Sequence, residues 1–74
     1  MIILKNGDEV RCGVDTVTIF NYGTKIRFVI VLKNVMDLAK FKVDDLVEIV
    51  YNINNTSGIF NGKIKVIHGK IICE

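Results

Sequence analysis

The sequence predicts a mainly β domain, a small antiparallel barrel or curled sheet of six or seven short strands with one short helix. Three observations carry this. Twelve Ile and ten Val stand among 74 residues, against four Leu and a single Ala, and branching at Cβ restricts χ1 and suits a pleated surface. Apolar and polar residues alternate over short segments, as they do along a half-buried strand. Turn-forming residues recur at intervals of roughly eight to twelve residues, the spacing of a sandwich or barrel.

The elements follow in order. Met1 to Lys5 and Asp8 to Cys12 flank Asn6-Gly7, the pair that best accepts the positive φ angles of a two-residue hairpin turn. Val14 to Phe20 sets Val17 and Ile19 against Thr16 and Thr18, and Asn21-Tyr22-Gly23-Thr24 then turns the chain. From Ile26 to Leu32, Ile26, Phe28, Ile30 and Leu32 share one face and Arg27, Val29 and Val31 the other. That second face is still mostly apolar, which predicts a central strand covered on both sides or by a second subunit. Asn34 to Phe41 changes period: Val35, Leu38 and Phe41 are three apart, behind possible caps at Asn34 or Asp37, and one or two helical turns fit. Leu46 to Ile53 returns to alternation, with Val47, Ile49, Tyr51 and Ile53 opposite Glu48 and Asn52. Asn54 to Gly58 reads as a turn and Asn61-Gly62 as another, leaving Ile59 and Phe60 as a short strand or loop tip. Lys63 to Ile67 and Lys70 to Cys73 form a final hairpin through His68-Gly69, with Ile64 and Val66 inward and Lys63 and Lys65 outward.

Composition bounds the function. The chain is one domain, 1–74, half of it hydrophobic, too short for a catalytic cleft between two lobes and too apolar for disorder. A domain this small buries only about 60% of its unfolded surface, so the apolar load predicts a homo-oligomer or a partner surface. The net charge of +2 lacks the strongly basic footprint of a dedicated nucleic-acid binder. No secretory signal is expected, because charged residues interrupt the N-terminal apolar run, and no apolar run approaches the ~20 residues of a membrane-spanning helix. A cytoplasmic location without membrane attachment is the expectation. There Cys12 and Cys73 read as buried small hydrophobes and not as a disulfide.

Groups able to do chemistry are few. Two Cys and one His, His68, fall one ligand short of a structural zinc set and lack C-x-x-C spacing, so no metal or other cofactor is expected. No nucleophile triad or phosphate-cradling Gly-rich loop is present, and the chain reads as non-enzymatic. Asp44-Asp45 reads as turn chemistry ahead of a strand, and the two N-x-S/T matches at Asn54 and Asn55 likewise. Candidate binding residues are Tyr22, Tyr51 and Phe60, the aromatics expected to reach the surface. Lys63, Lys65 and Lys70 join them, since they can share one face of the last hairpin, with Lys40 and Lys42 near by. Such a strip either contacts phosphate or an acidic partner, or guards an outer strand against edge pairing.

Two resemblances bear on this reading. Ile3-Leu4-Lys5-Asn6-Gly7-Asp8-Glu9-Val10-Arg11-Cys12-Gly13 resembles the first motif of the Sm-like RNA-binding proteins, and Val66-Ile67-His68-Gly69-Lys70-Ile71-Ile72 their second. The resemblance implies a ring-forming small barrel that binds RNA. His68 stands where that family prefers Arg, and Phe20 to Thr24 lacks the expected Asp and Asn spacing. The chain is also similar in pattern to short phage and prophage proteins of low-GC Gram-positive bacteria. These begin with a Met-hydrophobic-x-Leu-x-Asn-Gly hairpin, pass through a strand like Lys25 to Leu32 into a short helix like Asp37 to Phe41, and end in two or three strands. That similarity implies a small intracellular phage-type protein, an accessory particle part or a binder of a host factor, including a defence component. The leading expectation is therefore a non-catalytic, self-associating binding protein that acts by protein–protein contact. An Sm-like RNA module and a small-ligand trap at a subunit interface are the alternatives.

Overall fold

The computed structural model describes residues 2–74, without the side chains of Ile2 and Leu4. Met1, expected in the first strand, lies outside the described residues. Seven strands form in chain order: β1 (Ile2–Lys5), β2 (Asp8–Val10), β3 (Val14–Tyr22), β4 (Lys25–Leu32), β5 (Leu46–Ile53), β6 (Thr56–Ile67) and β7 (Ile71–Cys73). A 3-10 helix, Val35–Lys40, separates β4 from β5. All pairings are antiparallel, in the order β2-β1-β5-β6-β7-β4-β3. The mainly β expectation holds.

Chain connectivity forces the sheet to curl. Seven strands at ~4.8 Å would set the edges of a flat sheet about 29 Å apart. The edge strands β2 and β3 are joined only through Arg11, Cys12 and Gly13, and four Cα steps from Val10 to Val14 reach at most about 14 Å. The domain accordingly measures 31 × 24 × 23 Å. Inside the curl lie Ile3, Phe28, Ile30, Leu32, Val47, Ile49, Phe60, Ile64, Ile71 and Cys73, with Phe41 entering from the end of the helix.

The turns follow their residues. Asn6-Gly7 and Asn54-Asn55 have φ of 49°, 91°, 50° and 63°, the paired positive values of a type I′ turn. Gly23, at φ 73°, leads the two-residue turn to β4. The side chain of Asn6 also ties the first hairpin to β5: Oδ1 accepts from Leu46 N at 3.0 Å and Nδ2 donates to Asp45 Oδ1 at 3.2 Å. Asn34 caps the 3-10 helix, its Oδ1 accepting from Met36 N at 3.0 Å. Leu38 and Phe41 then pack toward the core, whereas Val35 is exposed.

Four expectations need correction. Asn61-Gly62 is no turn, and Thr56 to Gly58 is not part of one; β6 runs unbroken from Thr56 to Ile67. Gly62 lacks a side chain because Glu74 O and the Phe60 ring occupy the space where a Cβ would stand. Val66 points outward, 43% exposed, while Ile64 is fully buried. The cause is a register shift between Ile64, which faces Cys73, and Val66, which faces Ile72: Lys65 is an extra residue, and a bulge reverses the alternation beyond it. The same topology makes β6 and β7 interior strands, so their lysines guard no edge. Finally, within one chain β4 is buried on its inner face, with Val29 and Val31 half-buried on the other, so the chain itself does not cover both sides; cover by a second subunit is a separate matter of assembly.

Candidate functional site

The β3–β4 hairpin projects past the core. From Thr18 to Tyr22 every residue of β3 is exposed, because the inner face loses its partners once Val17 has packed against the core. Alternation puts Thr16, Thr18, Phe20 and Tyr22 on the outer face. Phe20 and Tyr22 stack there, with ring centroids 6.1 Å apart and planes 13° from parallel. Register sets Arg27 opposite Phe20, and its guanidinium lies 5.5 Å from the centre of the Tyr22 ring, within cation–π range.

Glu74, next to β7, holds Arg27 in place. Arg27 Nε donates to Glu74 Oε2 at 2.8 Å, and the guanidinium Nη2 donates to the same oxygen. This hydrogen bond, helped by the charges of Arg27, Lys25 and Lys65 and opposed by desolvation, holds the Glu74 carboxyl below its ordinary value. The same bond raises the Arg27 pKa. Beside the pair, Lys25, Ile26, Phe60, Lys65 and Glu74 line an open depression of about 670 Å³.

The residues singled out from sequence divide. Tyr22 is 56% exposed, on the end of β3 and not in a turn. Tyr51 is half-buried, edge-on to Phe28 at 5.3 Å. Phe60 barely reaches the surface, in the lining of that depression: it is 8% exposed and packs 4.4 Å from the Phe28 ring centre, where it helps close the curl. Lys63 pairs through its backbone with Glu74 at 2.9 and 3.0 Å, and Lys65 lines the depression. Lys70 sits in the loop at the other end of β7, so the three lysines do not form one strip. Lys40 is engaged elsewhere, with Asp37 at 3.2 Å and Arg11 O at 2.8 Å.

Sequence reasoning passed over Phe20, Arg27 and Glu74. The available signal was the series Thr16, Thr18, Phe20, Tyr22, in which two aromatics follow two threonines on the solvent face. Arg27 and Glu74 are 47 positions apart, and only the pairing of β4 with β7 brings them together.

Among the described residues no group of three metal-binding side chains occurs. Both cysteines are free. Burial pushes the Cys73 thiol up to about 12; burial and the nearby Asp37 carboxylate raise Cys12 against the opposing charge of Lys40. Both shifts favour the neutral thiol over the reactive thiolate. Asp45 uses both carboxylate oxygens structurally, on Asn6 Nδ2 and on Lys42 N. Among the described residues no helix is long and apolar enough to cross a membrane. The chain matches no family model, no curated protein and no solved structure.

Proposed function

We propose that this chain is a non-catalytic binding protein that acts by protein–protein contact, with the outer face of the β3–β4 hairpin as its contact surface. The observation that carries the reading is the exposed, stacked Phe20–Tyr22 pair beside a guanidinium. Neither ring contributes to the core, and an aromatic pair left in water at a hairpin end has no evident role in folding. Tyr and Arg are the residue types that anchor interfaces. Arg27 is already fixed by Glu74, so less side-chain freedom is lost when a partner docks.

The test compares immobilised wild-type protein with a Phe20→Ala/Tyr22→Ala variant, both challenged with host-cell extract and quantified by mass spectrometry. Circular dichroism first establishes that the variant keeps the fold. The expected result is at least one protein retained by wild type and depleted on the order of tenfold or more on the variant, with direct binding then reproduced from purified components. Identical retained sets on both surfaces overturn the reading.

A further inference from the structure

We propose that a second copy of this chain adds to the open edge of β3, so that the two β3 strands pair antiparallel about a two-fold axis at Ile19. The proposal rests on the protein-contact reading above and names one partner and its register.

Backbone geometry identifies the free groups. Among the described residues β3 pairs with β4 alone. The two-residue turn at Gly23-Thr24 makes Tyr22–Lys25 a hydrogen-bonded pair. Counting back in twos, Phe20 and Thr18 direct their N–H and C=O groups to β4, while Asn21, Ile19 and Val17 direct theirs to the open edge. The far end of the strand gives the same parity. Lys33 N donates to Gly13 O at 3.0 Å, Val14 faces Leu32, and the skipped residue Asp15 restores the Thr16–Val31 pair.

The two sheet edges differ sharply. β2 has three residues, two of them Asp8 and Glu9, and short charged strands resist edge pairing. β3 has nine residues, with Asp15 its only charge and neither Lys nor Pro. Its bulge lies at the Asp15 end, which leaves Val17–Tyr22 regular. Ile19, Phe20 and Tyr22 are exposed along it.

The strand's own sequence suits a two-fold mate. With Ile19 on the axis, Val17 faces the partner's Asn21 and Asn21 faces the partner's Val17. All three free residues of each strand are then used, for about six hydrogen bonds. On the outer face Phe20 meets the partner's Thr18 and Tyr22 the partner's Thr16, aromatic against β-branched, a favourable cross-strand pairing. Asp15 meets the partner's Gly23, so no like charges oppose one another. The contact is isologous and closes at two copies.

Sedimentation equilibrium over a roughly hundredfold range of concentration tests the pairing. The expected wild-type result is a shift from 8.3 kDa to twice that mass. Ile19→Lys sets two like charges on the axis at a position already exposed, and is expected to weaken the dimer at least about tenfold with an unchanged circular dichroism spectrum. Register is read in a Cys12→Ser background under mild oxidation. Ile19→Cys cross-links, since a hydrogen-bonded pair holds its Cα atoms ~5.5 Å apart, within disulfide reach. Asn21→Cys, roughly 14 Å from its own counterpart, does not. A wild-type monomer throughout, a dimer indifferent to Ile19→Lys, or cross-linking through Asn21→Cys in place of Ile19→Cys overturns the pairing. If wild type is monomeric yet still loses a bound protein on Phe20→Ala/Tyr22→Ala, self-pairing falls and the binding reading stands.

Discussion

Gly62 is a position where one methyl group should measurably weaken the fold. A Cβ built there lies 2.5 Å from Glu74 O and 2.5 Å from Phe60 Cζ, against the ~3.5–4.0 Å of a comfortable carbon contact. About 1 Å must be recovered on two sides at once. Neither neighbour moves freely: Glu74 O accepts from Lys63 N at 2.9 Å, and the buried Phe60 ring is backed by Phe28 at 4.4 Å. Overpacking of this kind costs about 1–3 kcal/mol. Gly62 has no positive φ, so Gly62→Ala also gains ~0.4–1 kcal/mol by restricting the unfolded chain. Taken at the middle of both ranges, the net loss is about 1.3 kcal/mol, from a stability of roughly 4–11 kcal/mol for a chain of this length. With a urea m-value near 1 kcal/mol/M, the unfolding midpoint should fall by about 1.3 M. Gly58→Ala is the comparison, because its Cβ meets only the half-buried Tyr51 side chain, at its hydroxyl and the adjoining ring edge, and no backbone carbonyl. Its midpoint should fall by less than half as much. A Gly62→Ala midpoint equal to or above wild type would refute the close-approach argument.

The bulge at Lys65 makes Val66→Lys nearly neutral, within about 0.5 kcal/mol, whereas Ile64→Ala should cost about 2–5 kcal/mol; urea titration of both separates the bulged strand from plain alternation, which buries both. Asn6→Ala places a Cβ-bearing residue without a local hydrogen bond at φ 49° and removes the links to Leu46 N and Asp45. A loss of about 2 kcal/mol is expected, and Asn6→Gly, which keeps the turn, should lose only about half of that in thermal melts. The pH dependence follows from Glu74, whose folded pKa is lowered. Its stabilising effect is present above the ordinary carboxylate value and is lost as pH falls through the lower folded value. Glu74→Gln should therefore flatten stability against pH on the acid side below about pH 4.5 and nowhere near neutrality, as read from midpoints across a pH series.

Much of the fold was legible in the residues. Asn6-Gly7 gave the first hairpin because few other pairs accept two positive φ angles. The inward series Val47, Ile49, Tyr51 of β5 and Phe28, Ile30, Leu32 of β4 were readable because side chains on a strand alternate with period two. Asn61-Gly62 misled for a physical reason: glycine is also needed where a backbone carbonyl and a ring approach a strand closely, and local sequence does not distinguish that need from a turn. Val66 was misplaced because a single bulged residue reverses parity without any local mark.

The candidate site divides along the same line. By itself the sequence determined what depends on near neighbours: strand periodicity, the positive-φ turns, the short capped helix, and Tyr22 as an aromatic near a hairpin end. Only the tertiary structure decided what depends on residues far apart in the chain. It buried Phe60 against Phe28, brought Arg27 to Glu74 across β4 and β7, separated Lys70 from Lys63 and Lys65, and made β3 an open edge while β6 became interior. Strand order does this, because it fixes which backbone groups are already paired and which face is already covered, and neither is written in the alternation of a single strand.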